Sequence, residues 1–374
     1  MGRPSLLVIG PRGMPDAEGG VERYAAVMLP KLVERGFEVS ATVMKQHTPV
    51  REHEGVKLIR LPSAPALRTD KHLYLALSFL QAALRRPRVV YLLGSASLLT
   101  VPLKLLGLKV YARCGSMDTL SRKWGRVARF VIWLSQRQYR YADGVVAVSR
   151  ELLDYLRNEH GVRRLVHIPN GVAALPPPAA DSGAGPRVKA PYILAVGRIT
   201  YQKDYPTLAR AFARLADPSV TLAIAGSPDG SVNAEETAEL SRPGIERLGF
   251  VDRGAVAGLL RGAAVFVNSS IKEGMSNALL EAVAAGVPVI ASDIPANSEL
   301  GLPPQCLFPA GDPDALAAKL TEALRDPDRF RVPADAFPGW DAVADQTAAL
   351  LGAREPARAT PVHAAGQQPG FAEG

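Results

Sequence analysis

NSSIKEGMSNALLEAVAAG, residues 268–286, joins the end of an apolar run to a polar turn and then to a helical pattern. The turn carries Glu273 and Gly274; the helix starts near Ser276 or Asn277 and carries Glu281. The first turn of a helix has backbone N–H groups without intrahelical acceptors and a positive dipole end, so it favours an anion such as a diphosphate. Gly274 allows the backbone a close approach to such a ligand. Glu273 and Glu281 face one region at different depths, and carboxylates accept hydrogen bonds from paired sugar or ribose hydroxyls. A capping residue followed by a solvated glutamate accounts for the spacing equally well.

Strands and helices alternate on both sides of this stretch. In the second half, strands are expected at 192–196, 220–225, 264–268 and 287–291, and helices at 205–216, 252–261, 276–285, 312–325 and 340–351. In the first half, apolar runs at 5–9, 38–43, 56–61, 88–93, 108–112, 144–148 and 164–168 read as strands buried on both faces. A helix at 21–35 shows apolar residues at three- and four-residue spacing; Gly36 stops it and Pro30 should kink it. This is the α/β pattern of two Rossmann-like parallel-sheet lobes facing a central cleft. The expected units are an N-terminal lobe (1–172), a Pro/Ala/Gly-rich linker (173–190), a C-terminal lobe (191–337), a crossover helix (338–352) and a disordered tail (353–374).

Two further motifs suit phosphate. Residues 194–207, LAVGRITYQKDYPT, place Arg198 and Lys203 in one loop after a strand, where two cations fit a diphosphate. Taken alone, they could equally be solvated surface cations. Residues 8–24, VIGPRGMPDAEGGVERY, lack the GxGxxG spacing of a dinucleotide fold, but Gly19 and Gly20 immediately precede a helix.

These three stretches together resemble retaining glycosyltransferases of the GT-B fold, in particular family 4. EGMSNALLEAVAAGVPVIASD is similar to that family's E-x7-E region, LAVGRITYQKDYPT to its VGR…K element, and the third motif to a bacterial subgroup's paired-glycine stretch. The resemblance implies that Arg198, Lys203 and Glu273 are catalytic. It further implies that Gly19, Gly20, Gly274, Met275, Ser276, Asn277 and Glu281 bind the donor. The segment 111–150 also resembles the subgroup, with Lys123, Trp124, Gly125, Ala142, Asp143 and Ser149 matching and Cys114 where a His is common. Asp118 and Arg12 are the acceptor-side candidates; Asp118 also reads as a helix N-cap.

The implied activity is transfer of a hexosyl-type sugar from a nucleotide-diphosphate donor to an acceptor hydroxyl, with retention and without a cofactor or metal. The acceptor is expected to be a small-molecule or lipid-linked sugar, in surface polysaccharide or glycolipid synthesis. An antibiotic-type acceptor such as an aminocyclitol is the alternative, and a GT-B UDP-sugar 2-epimerase is the rival class. Asp312 and Asp314 sit at a helix start, not after a strand, so they read as a cap instead of a metal site. Cys114 and Cys306 form no CxxC pair, and no stretch reaches the ~18 apolar residues of a spanning helix. A cytoplasmic location is expected. The net charge of +8 fits an anionic substrate or membrane surface. The helix expected at 122–141, basic and aromatic, could touch such a membrane, but a solvated face over an apolar stripe is the commoner arrangement. No nucleic-acid module is present.

Overall fold

The computed structural model describes residues 2–15, 17, 19–62, 70–116, 125–172, 188–228 and 232–352. Asp118, most of the expected linker and the expected tail lie outside these residues. The first sheet contains β1 (Ser5–Ile9), β2 (Glu38–Met44), β3 (Glu52–His53), β4 (Val56–Leu61), β5 (Val89–Leu93), β6 (Lys109–Cys114), β7 (Gly144–Ala147) and β8 (Leu165–His167). Their order is β3-β4-β2-β1-β5-β6-β7-β8, parallel except for the short β3 arm against β4. The second contains β9 (Tyr192–Val196), β10 (Thr221–Ala225), β11 (Ile245–Gly249), β12 (Val265–Asn268), β13 (Val289–Ser292) and β14 (Leu307–Phe308), ordered β11-β10-β9-β12-β13-β14 and all parallel.

Both sheets are doubly wound: the chain steps outward from β1 or β9 in one direction, then returns to their other side. The switch points lie between β1 and β5 and between β9 and β12, and ligands of such sheets bind beyond the strands' carboxyl ends there. In the second lobe the segments leaving that point are 197–204, after β9, and 269–276, after β12. They hold Arg198, Lys203 and Glu273. The topology therefore gathers two of the motifs without any long-range coincidence in sequence.

The helices, in chain order, are α1 (Gly20–Glu34), α2 (Asp70–Arg85), α3 (Thr100–Leu105), α4 (Arg126–Arg137), α5 (Arg150–His160), α6 (Tyr205–Leu215), α7 (Ala234–Glu239), α8 (Arg253–Gly262), α9 (Asn277–Ala284), α10 (Pro295–Ser298), α11 (Pro313–Arg325) and α12 (Trp340–Leu351). They cover both faces of each sheet, so β5 and β10 are buried throughout. Helix α1 runs as one element through the buried Pro30, so the expected kink does not interrupt it. The Asp312 carboxylate accepts from the Asp314 and Ala315 N–H groups at 2.9 and 3.0 Å, capping α11 as the sequence suggests.

Helix α12 leaves the second lobe and packs on the first. Trp340, Val343, Ala344, Ala348 and Leu351 join the core that α1 forms with one face of the first sheet. Gly171 makes this crossing possible: a Cβ there would stand 2.7 Å from the Trp340 backbone. At the rim, Lys31 reaches Asp341 at 2.8 Å and Arg35 reaches Asp345 at 2.7 Å. These carboxylates are exposed, so each pair is worth only about 0–1 kcal/mol. The Lys31 hydrogen bond lowers the Asp341 pKa, so the pair's contribution is full above the unfolded carboxylate value and is lost as pH falls through the depressed folded one. Asp341→Asn should therefore cost no more than about 1 kcal/mol at pH 7 and nothing near pH 2, checked by urea unfolding at both pH values. A larger loss would show that the helix depends on its charged rim and not on Trp340.

Candidate functional site

The 197–204 loop is fixed from below. The Tyr205 hydroxyl donates to the Gly197 carbonyl at 3.0 Å, and Ile199 N–H donates to the Ser227 carbonyl at 2.9 Å. Burial, with the nearby Glu273 second, holds Tyr205 protonated far above the usual phenol range. The 269–276 turn docks on this loop: Ile271 N–H donates to the Gln202 carbonyl at 2.9 Å and Ser269 Oγ to the Lys203 carbonyl at 2.8 Å. As a result the Lys203 ammonium pairs with Glu273, whose Oε1 also accepts from Ser270 Oγ at 2.8 Å. Both side chains are mostly buried. Arg198 is exposed at the mouth of the same loop.

Helix α9 begins beside this pair. Ser276 caps it, its Oγ accepting from Leu279 N–H at 3.3 Å. The N–H groups of Asn277 and Ala278 are left without intrahelical acceptors, as at any helix start. A lysine, an exposed arginine and a helix N-terminus thus converge at the switch point of the second sheet, the arrangement that favours a phosphorylated ligand.

The first lobe closes directly over this corner. Gly274 leaves room for the Gly115 carbonyl: a Cβ on Gly274 would overlap that oxygen. The close approach expected there for a ligand is thus made, in this structure, by the opposite lobe's backbone. Met275, expected at the donor, buries its side chain in the first lobe's core, and its Sδ accepts from Asn170 N–H at 3.1 Å. Asn277 Oδ1 accepts from Asn170 Nδ2 at 2.8 Å. Gly20, at the start of α1, comes within 4.0 Å of the Asn277 amide when a Cβ is built on it. Gly19 adopts φ 134°, which suits glycine, and a Cβ there would overlap the Glu22 carboxylate.

Two expected residues take partners other than the Lys203–Glu273 pair. Glu281, 7% exposed, pairs with Arg23 of α1, across the interlobe boundary. Burial, and then the neighbouring Arg253, draw the Arg23 pKa down to about 10, so the guanidinium is charged at neutral pH. Arg12 stands at the end of β1, held by the buried Glu22 at 2.9 Å. Asp118 lies outside the described residues. Asp143, matched in the sequence motif, holds Lys104 and the Val110 N–H at 2.9 and 2.7 Å and braces the sheet away from the cleft.

The sequence reading gave no role to Arg23, Arg113, Asn170, Tyr205, Ser269 or Ser270. Arg23 and Arg113 lie within the stretches 8–24 and 111–150 that carry the family resemblance, but their partners are in other stretches. Among the described residues, no group of three or more His, Cys, Asp or Glu could hold a metal ion, and no helix is long and apolar enough to cross a membrane.

Comparisons with known proteins divide along the same two lobes. The model described as Glycosyltransferase Family 4 matches residues 18–174, and that described as Glycosyl transferases group 1 matches residues 190–326. The alpha-maltose-1-phosphate synthase of Mycolicibacterium smegmatis is 30% identical over 232 residues, covering 53% of this chain and 58% of that protein. The match thus spans little more than half the length of that relative. Among solved structures, sucrose-phosphate synthase from Thermosynechococcus elongatus superposes with a TM-score of 0.77 at 21% identity, covering 93% of this chain and 98% of that one. HepE of Anabaena, solved with UDP and glucose, superposes at 0.66 with 17% identity, covering 92% and 95%. With a family model on each lobe and both lobes in the same two-sheet arrangement as these structures, the chain belongs to the group 1, family 4 glycosyltransferases of the GT-B fold.

Proposed function

We propose that the protein is a retaining glycosyltransferase that moves a hexosyl-type sugar from a nucleotide-diphosphate donor to an acceptor hydroxyl. The observation that carries this reading is the Lys203–Glu273 pair beside the start of α9, at the switch point of the second sheet. In the mechanism we propose, Lys203, Arg198 and the α9 N–H groups receive the diphosphate as it leaves. Glu273 gives up part of its contact with Lys203 and accepts hydroxyls of the donor sugar. Glu281 accepts ribose hydroxyls. The departing phosphate oxygen takes the acceptor proton on the face it leaves. Stabilising the leaving charge is the main contribution, and positioning is second. The cationic side chains make a metal unnecessary.

The fold places no constraint on which sugar is carried. UDP and glucose are named with HepE, and a maltose phosphate product with the mycobacterial relative, so UDP, GDP, ADP and dTDP sugars of the hexose class are the donors to try. For the acceptor we favour a lipid-linked sugar over an aminocyclitol. Helix α4 leaves Phe130 and Trp133 exposed, 60% and 39%, with the Arg137 guanidinium over the Trp133 ring at 5.2 Å. Apolar rings beside arginines fit an anionic bilayer surface, and such contact implies action at the cytoplasmic face of a membrane.

The test is protection against thermal unfolding by the four nucleoside diphosphates, with a chelator present throughout. A ligand at 100 times its Kd adds about 2.7 kcal/mol. At least one diphosphate should raise Tm by several degrees, and its hexose conjugate should release nucleotide more slowly without acceptor than with one. Indifference to all four would end the donor reading. Steady sugar isomerisation without acceptor would favour the epimerase. Vesicles containing phosphatidylglycerol, but not phosphatidylcholine alone, should carry the protein in flotation.

A further inference from the structure

The first lobe contributes a buried cation for which the mechanism above has no use. Arg113 ends β6, at the carboxyl edge of the sheet, and is 6% exposed. Its guanidinium lies 3.8 Å from the centroid of the Tyr24 ring and donates to Asn170 Oδ1. Among the described residues no carboxylate pairs with it. A guanidinium has a fork of N–H donors, and among the described residues only one of them finds an acceptor. Burying a cation without an anion is costly, and a ring face offsets part of that cost.

Its surroundings point to the missing anion. A Cβ on Gly115 would lie 3.4 Å from Arg113 Nη1, so glycine there leaves that edge of the fork uncovered. The Gly115 carbonyl packs on Gly274, and Asn170 joins Arg113 directly to Asn277, the first residue of α9. One side chain therefore separates the Arg113 guanidinium from the helix start on the opposite lobe. No acidic side chain intervenes in this chain of contacts.

We propose that Arg113 is the first lobe's wall of a phosphoryl-binding subsite, completed when an anion enters between β6 and the start of α9. This rests on the functional reading given above and goes beyond it by assigning anion recognition to the acceptor lobe. The phosphoryl group belongs either to the leaving diphosphate or to a phosphorylated acceptor. In the first case Arg113 stabilises the departing charge only when the lobes are closed. In the second it selects acceptors that carry a phosphate.

Binding of matched probes to the full chain decides it. The probes are inorganic pyrophosphate, the nucleoside diphosphate that protects the wild type, the corresponding nucleoside, glucose 6-phosphate and glucose. Arg113→Met should weaken at least one phosphorylated probe tenfold or more while its unphosphorylated partner changes less than twofold, and Arg113→Lys should recover part of the loss. Loss on pyrophosphate and nucleoside diphosphate assigns the donor; loss on glucose 6-phosphate assigns the acceptor. If Arg113→Met does not fold, Arg113→Lys alone carries the comparison, with a threefold selective loss expected because the bidentate fork is gone. A folded variant that binds every phosphorylated probe as the wild type does, or loses both members of each pair in proportion, overturns the inference. A wild type that binds no phosphorylated probe overturns the functional reading as well.

Discussion

Lys203→Ala should lower turnover about 10²–10³-fold at saturating donor, the scale seen when one preorganised charge-stabilising contact is removed from a transition state. The lysine sits in the best position to supply such a contact. Its backbone is held by Ser269, its loop by Tyr205 and its ammonium by Glu273, so little reorganisation is needed when negative charge develops. The loss should fall mainly on kcat, because a contact that strengthens as the diphosphate departs contributes more to the transition state than to the bound donor. Glu273 would lose its cation and keep the hydrogen bond from Ser270. Lys203→Arg keeps the charge but not the compact ammonium and should fall between. Nucleotide release with saturating donor is the readout, and turnover within twofold of wild type in Lys203→Ala would remove the lysine from the chemistry.

The difference between what the sequence disclosed and what it concealed follows from the range of the interactions involved. Strands such as Val89–Leu93 were legible because burial on both faces leaves an unbroken apolar run. Ile245–Gly249 was not, since an edge strand is half-exposed and its residues IERLG carry no such run. The donor corner was legible because the helix start and its two glutamates occupy one short stretch. That Lys203 and Glu273 serve one site could be anticipated from resemblance, though their ion pair was not; the doubly wound order of the second sheet supplies its physical reason, since the segments after β9 and β12 leave neighbouring strands. Contacts between lobes had no such local signature. Asn170 and Asn277 are 107 residues apart, and nothing in either segment announces the other. Gly274 and Met275 show the same limit. Each reads locally as part of a ligand-binding turn, yet each also makes lobe-to-lobe contact that only the assembled fold displays.

Glu281→Ala should weaken donor binding at least tenfold and also lower stability, because the carboxylate has two partners in prospect. In the structure it meets Arg23, and in the proposed complex it meets ribose hydroxyls. Removing one member of a buried ion pair strands the other at about 3–5 kcal/mol when both are fully enclosed. The Arg23 side chain is 27% exposed, so roughly 1–3 kcal/mol is the expected loss. Arg23→Met removes the competitor and leaves the carboxylate available. If the pair is a placeholder that the ribose displaces, this variant should bind donor as tightly as the wild type or more so. If Arg23 instead orients Glu281 for the ribose, both single variants should bind weakly and the double variant should be no worse than either. A double-mutant cycle on donor Kd and on unfolding free energy separates these cases, since residues in direct contact typically couple by 0.5–3 kcal/mol. Purely additive effects on both quantities would mean that Arg23 neither guards nor orients Glu281, and donor binding by Glu281→Ala within twofold of wild type would take Glu281 out of the ribose site.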